Sequence, residues 1–285
     1  MVKKKITLTI VGCVGILVLV GLIMAQVINK QNKIELPMNK TLQEQQNTPR
    51  PQATPPQKEE ATLIQEDLIS EKTKKHSKLF KESGYKYVTN GKKLRDLAKE
   101  REGNIDMSTS IGEVILPNNF TIDEYLRDLS CKADAIVIGV ITGKSSQITE
   151  EGTFTFTEYQ VNTDEILKNN STDLININDK ITVLRSGGAV ILNGKTITMT
   201  DYAESPLERN GKYLLFLKFI PETKAYKSLR ETFADTSFRL NGEQIKQVSD
   251  QPFPLGAGRS AETSNFLTKA RSAGSYECNN QGENK

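Results

Sequence analysis

Apolar and polar residues change their spacing several times along this chain, and each change marks an element. Ile6 to Ala25 is an almost unbroken apolar run, interrupted only by the uncharged Thr7 and Thr9. At a helical rise of about 1.5 Å per residue it reaches about 30 Å, the depth of a bilayer's hydrocarbon core, so it predicts a single transmembrane helix with residues 1–28 as an anchor. From 29 to 60 the periodicity disappears. Gln, Asn and Thr, with Pro49, Pro51, Pro55 and Pro56, predict a disordered tether that cannot bury enough apolar surface to offset its ordering entropy. Helical spacing resumes at Leu63, Ile64, Leu68 and Ile69, lapses until Leu79 and Phe80, and ends at Ser83-Gly84. A second short helix is expected from Lys92 to Glu102, with Asn90 as its start signal and Leu94, Leu97 and Ala98 on one face. Residues 61–119 therefore read as a basic helical stalk.

The pattern of a folded domain occupies 120–274, followed by a polar tail over 275–285. Thr121 and Glu124 have the spacing of a capping box, and Phe120 with Tyr125 that of a hydrophobic staple. Ile122, Leu126, Leu129 and Ala133 continue the helix they start. Ala135 to Ile141 is then a β-branched strand. Phe154 and Phe156 alternate with threonines before the apolar positions move to Tyr159 and Val161, a change of face that predicts a bulge or strong coil. Ile181 to Leu184 makes the next strand. Asn193-Gly194 joins Val190–Leu192 to Thr196–Met199 as a hairpin, and Asn241-Gly242 joins Phe238–Leu240 to Ile245. The continuous apolarity of Tyr213 to Phe216 and Leu217 predicts a strand covered on both faces. Pro221 to Lys224 turns into Ala225-Tyr226, and a last helix carries Phe266, Leu267 and Ala270. Six to eight short strands with a helix on either side predict a mainly β domain, a small antiparallel OB-like barrel with flanking helices.

Three segments carry a family resemblance. Ala133-Asp-Ala-Ile-Val-Ile-Gly139, Phe156-Thr-Glu-Tyr-Gln-Val161 with Ile166-Leu-Lys168, and Gly211-Lys-Tyr-Leu-Leu-Phe-Leu217 resemble the netrin/metalloproteinase-inhibitor type of OB-fold. They are more similar to uncharacterised bacterial exported proteins that share the pattern. The resemblance covers about residues 130–230 and implies the barrel. It does not imply protease inhibition, because those inhibitors chelate zinc with an N-terminal cysteine, whereas Cys131 is internal.

Charge refines this picture. Residues 1–130 carry 20 Lys and Arg against 16 Asp and Glu, and the total of +3 has no basic stripe with interleaved aromatics, so nucleic acid is not an expected partner. Between Glu71 and Glu102 the net charge is +6, read either as a solvated helix face or as adhesion to an anionic headgroup or wall polymer. His76, the one histidine, is expected on the solvated surface there. A retained signal anchor fits the apolar run best. Cleavage after Ala25 would put Ile23 at −3, and a lipobox ending at Cys13 would be followed by twelve more apolar or small residues. The density of Lys3, Lys4 and Lys5 outweighs Lys30, Lys33 and Lys40, which puts everything after Ile28 outside the cytoplasm. The protein is thus expected in the cell membrane through residues 6–25. There, Cys131 and Cys278 could pair, or remain one buried and one exposed thiol.

The sequence offers no recognisable catalytic apparatus. There is no base for a Ser-His-Asp or Cys-His arrangement in the β domain, no HExxH or CxxC metal motif, and no cofactor loop at Gly187-Gly188 or Gly256–Gly258, which read as turns. Of the carboxylate pairs, Glu150 with Glu151 and Asp201 with Glu204, the second is the stronger candidate for an envelope hydrolase. Acid–base chemistry would require one of the two to be buried with a raised pKa. The expected function is a non-catalytic binding module presented outside the cell to an envelope protein or polymer. Tyr159, Arg185, Tyr202 and Arg239 are its candidate ligand contacts, and the alternatives are that hydrolase or a structural subunit of an envelope complex.

Overall fold

The computed structural model describes residues 61–63, 70–81, 89, 91–108, 121–231, 235–248, 253–255 and 260–278, all within the compact unit Gln57–Lys285. The apolar run, the tether, Asn90, Phe120, Gly256–Gly258 and the tail beyond Cys278 lie outside the described residues. Within them, no helix is long and apolar enough to cross a membrane. The fold is mainly β, with two sheets and four helices among the described residues. In chain order the elements are β1 (Thr62–Leu63), α1 (Glu71–Lys81), α2 (Leu94–Glu100), β2 (Ile105–Ser108), α3 (Ile122–Lys132), β3 (Ala135–Ile148), β4 (Thr155–Asn169) and β5 (Lys180–Ser186). There follow β6 (Gly188–Leu192), β7 (Lys195–Thr200), β8 (Lys212–Ile220), β9 (Ala225–Ser228), β10 (Ser237–Asn241), β11 (Gln244–Gln247), β12 (Ser260–Glu262) and α4 (Thr263–Gly274).

The larger sheet runs β12-β11-β10-β8-β3-β4-β5-β9, and β9 also pairs with β8. The pairings β3–β4–β5–β9–β8–β3 therefore return on themselves, a cycle of five strands. Not all of it is antiparallel as expected: β5 and β9 pair in parallel. Strand alternation explains how one apolar run serves two cores. Ala135, Val137, Ile141, Tyr159, Val161, Ile181, Val183, Tyr213, Leu215, Leu217 and Tyr226, drawn from all five strands of the cycle, pack together. Their neighbours Ile136, Ile138, Leu214 and Phe216 face the other way, onto Tyr125, Leu126 and Leu129 of α3 and Phe266, Leu267 and Ala270 of α4. This is why Tyr213 to Leu217 had to be apolar throughout. Thr121 and Glu124 cap α3 reciprocally, and Cys131 is disulfide-bonded to Cys278, joining the end of α3 to the chain just past α4.

A third core brings corrections. Phe156 and Leu184, on the side of β4 and β5 away from the first core, pack with Phe80, Leu94, Leu97, Ile105, Val190 and Ile197. The predicted bulge after Phe156 is absent: β4 runs from Phe156 to Gln160 without a register shift, and simple alternation sends Phe156 and Tyr159 to different cores. The shifts occur instead at Asp164 and Leu167, unpaired in the ladder further along β4, and at Thr142 of β3. Residues 61–119 are no stalk where they are described. β1 and β2 pair in parallel with β6 and β7 to make a second, four-stranded sheet, and α1 and α2 bury Phe80 and Leu97 against it. Leu63 is strand rather than helix, and α2 begins after Lys93. Gly187-Gly188 is the crossing from one sheet to the other rather than a turn. Gly187 has φ +81° and Gly188 φ +135°, and a Cβ on Gly188 would sit 2.3 Å from Thr157 Oγ1.

Candidate functional site

The segment Asp201 to Asn210, between β7 and β8, is where the sequence candidates meet. It is anchored at its far end by Asn210 N–H donating to Ile141 O at 2.8 Å and by Leu207, whose side chain enters the five-strand core. From below, Tyr159 Oη accepts from Leu207 N–H at 3.1 Å, and Arg185 Nη2 donates to Ser205 O at 3.1 Å. From outside, Arg239 on β10 pairs with Glu208 at 2.7 Å, while Tyr202 belongs to the segment itself and is 40% exposed. All four proposed ligand contacts thus touch one loop, but on opposite sides of it. Tyr159 and Arg185 are 1% exposed, so the expectation that they lie on the surface is wrong. Alternation from Ile181 and Val183 sends Arg185 inward, a position that hydrophobic patterning would reserve for an apolar residue.

Beneath the loop lies a buried charged cluster. Arg185 Nη1 donates to Ser228 Oγ at 3.3 Å and also to Ser237 Oγ. The next residue, Ser186, turns the other way and meets both carboxyl groups. Its N–H donates to Glu204 Oε2 at 2.9 Å, and its hydroxyl oxygen lies 2.6 Å from Asp201 Oδ2 and against Glu204 Oε2. Asp201 also accepts from Ala203 N–H at 2.9 Å and from Arg230 Nε at 3.3 Å. Asp201 and Glu204 are 0% and 1% exposed, so the two loop carboxylates are in fact sealed.

Their environments push them apart. Burial acts against ionised Asp201, but the Ser186 hydroxyl, Arg230 and the Ala203 N–H outweigh it, and its pKa is held below the ordinary value. For Glu204 burial prevails: Arg185 opposes it, Asp201 reinforces it, and the carboxyl is raised. Proton counting agrees. A serine hydroxyl has one proton to donate, yet the Ser186 oxygen contacts two carboxyl oxygens. Both contacts are favourable when Glu204 is protonated and donates to Ser186, which donates to ionised Asp201. Glu204 Oε1 and Arg185 Nε are buried without a hydrogen-bond partner.

Sequence reasoning missed two features. His76 is fully buried rather than solvated, with Nδ1 2.7 Å from Glu158 Oε1 and Nε2 2.8 Å from Thr223 Oγ1. Arg230 entered no motif, and only its distance to Asp201 reveals its part. Among the described residues no group of three or more His, Cys, Asp or Glu is arranged to hold a metal. No protein-family model and no curated protein matches the chain.

Proposed function

We propose that this chain is a single-pass membrane protein presenting an extracytoplasmic OB-like barrel as a non-catalytic binding module, whose ligand meets the outer side of the Asp201–Asn210 loop. One observation carries the reading. The four candidate residues converge on that loop, with Tyr159 and Arg185 bracing it from beneath while Tyr202 and Arg239 stand on its outer side. A surface held rigid from below loses little conformational freedom on binding, which favours recognition. The barrel reading is supported by the closed cycle of five pairings and its parallel β5–β9 contact, which agree with the OB-type resemblance. Display outside the cytoplasm is supported by the apolar run behind Lys3–Lys5 and by the Cys131–Cys278 bridge, a bond that persists in oxidising compartments.

A photocrosslinking residue at Tyr202 or Arg239, with exposed Thr172 in the β4–β5 turn as the control position, tests the loop in intact cells. A discrete product at the first two positions and none at Thr172 is expected, and equal yields at all three would refute the assignment. A single stoichiometric protein product would favour a subunit of an envelope complex over a soluble or polymeric ligand. Cysteine labelling on either side of residues 6–25 tests display, and labelling of the C-terminal side only from the cytoplasm would refute it. A second reading, an envelope hydrolase, draws on the divergence of Asp201 and Glu204, the signature of an acid–base pair. Their burial favours a bracing role instead. Turnover of a wall polymer or peptide that Glu204→Gln abolishes would reverse that preference.

A further inference from the structure

Helix α1 occupies the surface at which OB-type barrels commonly meet their ligands, the outer face of the second and third strands with the adjoining loops. In this chain those are β4 and β5, the turn between β3 and β4, and the turn between β8 and β9. The helix reaches β4, both turns and β9. Phe80 stacks on Phe156 of β4 with ring centroids 5.0 Å apart, and the Lys227 ammonium of β9 lies 4.9 Å from the centre of the Phe80 ring. Ser77 Oγ accepts from Glu150 N–H in the β3–β4 turn at 2.6 Å. His76 spans Glu158 of β4 and Thr223 of the β8–β9 turn.

The helix is attached through few residues, with Phe80 entering the third core and Leu79 packed partly against it. Its fully buried residues are His76, Ser77 and Phe80, while Lys72, Lys75 and Lys78 form an exposed stripe at every third position. By contrast α3 buries Tyr125, Leu126 and Leu129, with Ser130 as the one small polar residue among them. Two of the three α1 anchors are polar and matched to specific partners, so they supply recognition more than bulk burial. An 11-residue helix of this composition has little stability of its own and depends on the groove.

We propose that this face is a helix-binding groove for a basic helix with His and Phe four residues apart. In this structure α1 fills it in cis, and α1 of a second copy of the chain can fill it in trans. The proposal is independent of whether the Asp201–Asn210 loop binds anything, since the two surfaces share none of the contacts named above.

The test uses a fluorescent peptide of residues 70–81 and the full chain in detergent. His76→Ala/Phe80→Ala chain, with α1 weakened, is expected to bind the peptide at least about tenfold more tightly than the native chain, which has its groove filled. Glu158→Gln in the double variant, or Phe80→Ala in the peptide, is expected to remove binding. Failure of the folded double variant to bind, or binding that Glu158→Gln leaves unchanged, would overturn the proposal. Hydrogen exchange on the native chain decides the matter even if the double variant does not fold. The α1 amides are expected to exchange at least about a hundredfold faster than those of α3. Equal protection in both helices would make α1 an integral element and refute the groove.

Discussion

Replacing Asp201 by Asn and Glu204 by Gln removes one carboxyl charge at a time from the same buried cluster, and the two outcomes should differ sharply. Asp201 is ionised, and it accepts hydrogen bonds from the Ser186 hydroxyl, Ala203 N–H and Arg230. An amide keeps the shape but halves the acceptor capacity and removes the charge that Asp201 sets beside Arg230. Breaking a buried ion pair costs about 3–5 kcal/mol. Arg230 is 30% exposed and water recovers part of that, so Asp201→Asn should cost about 2–4 kcal/mol at neutral pH. Glu204→Gln replaces a group that is already protonated below its raised pKa, but Oε2 both meets the Ser186 hydroxyl and accepts the Ser186 N–H, which no single amide atom can do, so in mildly acid solution it should cost about 1 kcal/mol. The signs follow from linkage. The folded state holds the Glu204 proton more tightly than the unfolded chain, so this residue lowers stability as pH rises above its ordinary 4.5. Asp201 binds its proton less tightly when folded, and its contribution is lost as pH falls below 3.8. Urea unfolding of the native chain and both variants, from about pH 2 to pH 8, reads all of this. Glu204→Gln should gain on the native chain as pH rises. If it instead destabilises as much as Asp201→Asn in acid solution, Glu204 is ionised there and the proton-sharing scheme is wrong.

Three further outcomes are expected. The disulfide joins residues 147 apart in sequence, so replacing both cysteines by serine should cost about 2–5 kcal/mol. A reductant should lower the native chain's urea midpoint and leave the double variant's unchanged, and equal midpoints throughout would refute a stabilising bridge. Tyr125 Oη donates to Asp235 O at 2.7 Å in the core, and Tyr125→Phe, which removes that donor, should cost about 1 kcal/mol by thermal unfolding. Gly188→Ala meets Thr157 and Ser146 at the crossing between sheets and adopts a φ that disfavours a side chain. It should cost at least about 2 kcal/mol, whereas the same change at Gly194, where a Cβ meets nothing within 4 Å, should cost less.

What could be read in advance divides along sequence separation. The hairpins at Asn193-Gly194 and Asn241-Gly242 are local, since turn residues with positive φ set the register of their own flanks. The reciprocal cap of Thr121 and Glu124 is equally local. β1 and β2 escaped because each is a few residues long and gains its identity from a parallel partner about 90 residues or more away on β6 or β7. The basic segment misled for another reason. Net charge reports the whole circumference of a helix, but docking depends on one face, and His76, Ser77 and Phe80 are too few to register in a lysine-rich stretch. Asp201 and Glu204 looked like loop carboxylates because polar residues ordinarily face water. Their burial requires Ser186 and Arg230, which only the fold brings to them. Arg185 followed strand alternation faithfully, and its chemistry concealed the direction.

The bridge between Cys131 and Cys278 also divides the chain mechanically. All strands of the five-membered cycle lie inside one covalent ring, whereas β1, α1, α2 and β2 lie outside it, on the side leading to the apolar run. Force applied between residue 61 and residue 278 can therefore extend only the portion ahead of Cys131, about 250 Å of chain rather than about 780 Å. Tension along the N-terminal segment would strip the outer elements and leave the ringed strands close to their folded dimensions.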